Sequence, residues 1–176
     1  MLHRIMKYTW TPTTCLKSGV YARAAVALCL IGGTSHAQED DRIYYGSRVG
    51  MHLTTISKKG IGTENAVIFV KHTPKDAKAF CVEYDKDHSM ACVKRTMASV
   101  KVRDRVSGNC VQRTWADLRG ERFAFLGPTN QSEDVMADYL IKDLQSGEIL
   151  DGSTASGYGV QITIFSQLCP GIVEPQ

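Results

Sequence analysis

The sequence predicts an α+β domain: a mostly antiparallel sheet built from hairpins, with one or two short helices packed on it and two disulfides. Three observations predict it. Short runs of alternating apolar and polar residues are separated by turn residues, the pattern of strands with one covered face. The segment opening at Thr73 carries a full helix start signal. An even number of cysteines remains once an amino-terminal leader is set aside.

The leader comes first. Residues 1–37 hold four basic residues (Arg4, Lys7, Lys17, Arg23) and no acid. An apolar run from Ala24 to Ile31 ends at Gly32-Gly33, and Ser35 and Ala37 are small residues where a signal peptidase reads. This is the order of a cleavable secretory signal. The run is far shorter than the ~20 residues that span a bilayer, so no retained membrane span is expected. Cleavage near Ala37 leaves residues 38–176 as a single α+β domain in the periplasm or outside the cell. It also changes the charge, from 21 basic against 18 acidic residues to 17 against 18. The basic character belongs to the leader, so no nucleic-acid partner is expected.

The elements follow in order. Met51, Leu53 and Thr55 alternate with His52 and Thr54, which puts His52 on an exposed polar face. Lys58 to Gly62 reads as a turn, and Ala66 to Val70 as a central strand rich in β-branched residues. Thr73 is the N-cap of a helix, Pro74 suits its first turn, and Asp76 completes a capping box. Ala77, Phe80, Cys81 and Tyr84 form its apolar face. A second short helix is expected from about Ser89 to Ala98, using Met90, Val93 and Met97. Val100, Val102 and Val106 alternate with Lys101, Arg103 and Arg105, which reads as a basic, one-faced strand. Gly108-Asn109 reads as a turn. Trp115 to Phe125 reads as a hairpin turning near Arg119-Gly120, with Leu126-Gly127-Pro128 breaking its second strand. Tyr139–Ile141 and Glu148–Leu150 form a third hairpin. Residues 160–168 fit a strand or a short helix equally.

Four cysteines lie beyond the leader: Cys81, Cys92, Cys110 and Cys169. In an exported domain they point to two disulfides. Of the three pairings, Cys81–Cys92 and Cys110–Cys169 is expected. The first joins neighbouring segments, and the second ties the carboxyl end to mid-chain. Loops of these lengths stabilise by about 3 and 4 kcal/mol on a chain-entropy estimate. No CxxC or Cys/His spacing fits a zinc site.

Several strings carry a resemblance. They are Tyr45–Met51, Lys71-His72-Thr73, Phe80-Cys81, Phe125–Pro128, Asp151-Gly152-Ser153 with Ala155–Tyr158, and Leu168-Cys169-Pro170. In these the chain resembles small uncharacterised exported (periplasmic) proteins of α-proteobacteria. The resemblance implies a periplasmic setting and carries no activity.

Concentrated chemistry is scarce. There is no phosphate-binding loop, dinucleotide fingerprint or HExxH, so no cofactor and no metal are expected. Gly152 to Gly157 is not a nucleophile elbow and reads as a loop. Glu83, Asp85, Asp87 and His88 form an acidic helix end that lacks the calcium-loop pattern. Asn130-Gln131-Ser132 matches a glycosylation sequon by pattern only. Lys71 and His72 stand out because they sit where a strand meets a helix start. Lys101, Arg103 and Arg105 with Trp115 stand out because residues 94–122 hold eight basic residues against three acids. That face suits an anionic envelope polymer such as lipopolysaccharide, and an envelope protein is the other expected partner. The expected function is a non-catalytic binding or interaction domain of the cell envelope. The alternative is a small periplasmic hydrolase using His72 as acid/base with a nearby carboxylate.

Overall fold

A computed structural model describes residues 42–129, 137–153 and 157–173. The leader, the Asn130 sequon and the middle of the Gly152–Gly157 loop lie outside the described residues. Eight strands follow one another in chain order, each antiparallel to its neighbour. They are β1 (Arg42–Tyr44), β2 (His52–Lys59), β3 (Ala66–Lys71), β4 (Arg105–Asn109), β5 (Thr114–Ala116), β6 (Arg122–Pro128), β7 (Tyr139–Asp143) and β8 (Ile149–Leu150). Helices α1 (Pro74–Glu83) and α2 (Met90–Ser99) stand between β3 and β4, and α3 (Tyr158–Leu168) follows β8. The predicted α+β class, the hairpin sheet and both disulfides are present.

The sheet is curled, and α3 fills its inner face. Phe165 stacks on Trp115 at 4.7 Å and on Phe125 at 5.0 Å between ring centroids. Ile43, Leu53, Ile68, Val106 and Ile141 complete the inner face from five different strands. Residues 160–168 are therefore helix. They show no amphipathic period because neighbours cover α3 on several sides: Gln161, Ile162, Ile164, Phe165 and Leu168 are all buried. The carboxyl end of α3 is pinned. Cys169 is bonded to Cys110, and the Gly62 amide donates to the Leu168 carbonyl at 2.9 Å.

The capping box at Thr73 forms as expected. The Thr73 amide donates to the Asp76 carboxylate, and the Asp76 amide donates to the Thr73 hydroxyl. Ser89 caps α2, and Cys81–Cys92 joins the two helices. Met90 is 64 % exposed and takes no part in that packing.

Four local expectations change. Residues 100–104 are not strand; the strand begins at Arg105. The segment is irregular, held by the Arg103 amide on the Leu118 carbonyl and by the Asp104 carbonyl accepting from the Val70 amide, both 2.8 Å. Gly108 and Asn109 belong to β4, and the turn falls after them, with Arg113 at φ +55°. Leu126-Gly127-Pro128 continues β6 through a bulge, where Gly127 adopts φ +110°, a value open chiefly to glycine. The fourth change is His52. It is buried, not on an exposed face. Successive strand residues point to opposite faces. Leu53 faces the main core and His52 faces α1, so β2 is covered on both sides.

Candidate functional site

His72 sits between the end of β3 and the N-cap of α1. It meets Tyr45 edge-on, with ring centroids 5.9 Å apart. Its Nε2 is buried and has no hydrogen-bond partner. Burial lowers its pKa below the ordinary value; Asp76 opposes the shift and His52 adds to it. The Tyr45 hydroxyl is pushed up by burial and by the Asp76 charge. Lys71 is exposed at the end of β3.

Asp76 is the centre of this node. It accepts from the Thr54 hydroxyl and the Thr73 amide, both at 2.8 Å, and from the Thr54 amide at 3.3 Å. His52 Nε2 lies 3.7 Å from the same carboxylate. The carboxylate thus braces α1 against β2. A general base must reach the proton it moves. Asp76 is enclosed by its partners, and the buried Nε2 of His72 faces no hydroxyl or carboxylate within hydrogen-bond reach. The geometry therefore gives the acid/base reading of His72 no support.

The basic residues separate. Arg105 pairs with Asp104 at 3.0 Å and lies over the Phe69 ring. Lys101 and Arg103 line a groove with Arg119 from the β5–β6 turn. Trp115 does not join them. It is 2 % exposed, in the core, because β5 turns it inward onto Phe123 and Phe165. At the acidic helix end, Asp87 holds the Ser89 amide and pairs with Arg95. Asp85 lies close to Cys81 and Cys92, but those sulfurs are bonded to each other and offer no thiolate.

Another concavity lies elsewhere, a cavity of about 680 Å³. It lies where α3 begins, away from the end pinned by Cys169. Leu118, Leu150, Val160 and Ile164 line it together with Tyr44 and Tyr45, and its exposed surface is more polar than apolar. A polar relay runs from the core to the cavity lining, through Gln161 and Asp117. Trp115 Nε1 donates to Gln161 Oε1 at 3.1 Å, and Gln161 Nε2 donates to Asp117 Oδ2 at 3.0 Å. The other Asp117 oxygen accepts from the amides of Arg119, Gly120 and Glu121. Asp117 is fully engaged. Asp143 is engaged as well: the Gln145 amide, then the Ser146 amide and hydroxyl, hold its carboxyl below the ordinary value. The charged side chains left at the rim are Arg119, Glu121 and Glu148, none of which forms an ion pair among the described residues.

Sequence reasoning did not find this cavity. Its walls come from β1, the β5–β6 turn, the β7–β8 hairpin and α3, and no local motif marks that meeting. The one available signal was the nearness in sequence of opposite charges, Arg119 and Glu121, at a predicted turn. Comparisons with protein families, with curated proteins and with solved structures find no match to this chain.

Proposed function

We propose that this protein is a non-catalytic binding domain of the cell envelope, working in the periplasm or outside the cell once its leader is removed. Its ligand site is the cavity at the start of α3. The reading rests on one observation: a cavity of small-molecule size lined by one cation and two carboxylates that form no ion pair among the described residues. Such a site suits a small zwitterion, of the amino-acid or short-peptide class. Two disulfides fit an oxidising compartment. No helix among the described residues is long and apolar enough to cross a membrane.

Trp115 provides the test. It is the only tryptophan beyond the leader, and it touches the cavity through Gln161. The exported, oxidised protein is titrated with the free amino acids and a set of dipeptides, by calorimetry and by tryptophan emission. Saturable binding is expected for at least one, and E121Q/E148Q should weaken it roughly tenfold by removing two charge-assisted partners. No heat with any of these ligands would sink the reading.

A further inference from the structure

We propose that the groove beside residues 100–103 is a second site, which takes an anionic amphiphile: a phospholipid headgroup together with the first carbons of its chains. The groove is shallow and open, with about 420 Å³ of space over it. Its lining is three cations, Lys101, Arg103 and Arg119, and three apolar side chains, Val100, Val102 and Leu118. No acid lines it.

The three cations form no ion pair among the described residues. An ionised phosphate is the natural complement, because arginine and lysine make their strongest hydrogen bonds to it. The apolar half of the lining calls for a ligand whose charge has hydrocarbon next to it. A bare anion leaves the exposed parts of half-buried Val100 and Val102 against water; a glycerophospholipid covers them.

The groove is also held in shape. The Arg103 amide is fixed to the Leu118 carbonyl at 2.8 Å. Its guanidinium lies over Gly120, where a Cβ would push that flexible end aside. The missing Cβ is the room the guanidinium uses, and φ +87° at Gly120 keeps that position unfavourable for other residues. A long polyanion fits less well. It needs a continuous stripe of charge, and the next cation along the chain, Arg105, is already paired with Asp104.

The test uses the exported, oxidised protein at low salt. Its probes are soluble dihexanoylphosphatidylglycerol, inorganic phosphate, and vesicles of phosphatidylcholine with or without phosphatidylglycerol. Dihexanoylphosphatidylglycerol should bind at least tenfold more tightly than inorganic phosphate, and only the anionic vesicles should sediment with the protein. K101Q/R103Q should lose roughly tenfold or more in affinity, K101Q alone a few fold, and R105Q less than twofold. These variants leave the cavity rim untouched, so amino-acid and peptide binding stays as in the parent. Equal affinity for inorganic phosphate would overturn the amphiphile assignment. Full binding by K101Q/R103Q, or no binding to either lipid probe, would overturn the site.

Discussion

The sheet wrapped on α3 and the α1–α2 hairpin are held together by different means. The first buries a continuous cluster running from Ile43 to Val173, with Trp115, Phe125 and Phe165 stacked at its middle. The second has as its apolar core only Ala77, Cys81, Cys92 and Val93, with Met97 against them. Half of that small cluster is a disulfide. Burial contributes about 25 cal/mol per Å² of apolar area, and two ten-residue helices with so little buried area gain little that way. A covalent link stabilises by narrowing the unfolded ensemble, which needs no area. Packing suffices where a sheet surrounds a helix; a staple substitutes where two helices lie exposed. The joint between the regions is polar, Asp76 against Thr54 and His52.

The largest test of this contrast is Phe165→Ala. Phe165 is completely buried between two aromatic rings. Its loss should cost about 3–5 kcal/mol, read by denaturant unfolding, with sheet and helix signals falling together. A cost under 1 kcal/mol would mean that the stack is not what holds the sheet on α3.

The staple gives the next largest effect. Cys81→Ala with Cys92→Ala should cost about 3 kcal/mol on the chain-entropy estimate. The loss should be local. Amide exchange should rise along α1 and α2 while amides of β3 and β6 keep their protection. Uniform loss of protection across the sheet would erase the distinction between the regions.

The smallest effect is at the joint. His72 has its pKa held below the unfolded value of 6.5. The unfolded chain therefore binds the extra proton first. The stability tied to a neutral His72 is complete above pH 6.5, falls as pH drops through 6.5 toward the folded value, and levels off below it. The groups that face it, Asp76, His52 and Tyr45, remain in His72→Gln, so the comparison isolates the imidazole. The difference in unfolding free energy between the parent and His72→Gln should change in that window. Parallel profiles from pH 8 to pH 5 would refute a half-buried imidazole whose Nε2 lacks a partner.

Legibility in the sequence followed how many faces each element covers. The hairpins of β2 with β3, β5 with β6 and β7 with β8 have the two-residue period, and the Thr73 capping box is a local rule, so both could be read directly. Alternation failed at β2, where α1 covers the second face and draws in His52. It failed at α3, whose neighbours on several sides remove any polar stripe. It misled at residues 100–104, because half-buried Val100 and Val102 imitate a strand while tertiary hydrogen bonds hold an irregular chain. The two cysteine pairs were legible because a two-disulfide framework allows few arrangements. Of the candidate sites, Lys101 and Arg103 were legible as a basic run, but their partner Arg119 was not, since a turn carried it there from 16 residues away.

The strand order has a consequence for how the molecule is born. Every strand pairs with its predecessor, so the sheet can zip up as each new stretch leaves the ribosome or a translocation pore. Its inner surface, however, waits for the last helix made. Until residues 158–168 emerge, the half-finished shell offers Trp115, Phe123 and Phe125 to any hydrophobic neighbour. A chain clipped just short of α3 would have all eight of these strands and nothing to wrap, a prime client for chaperones and proteases.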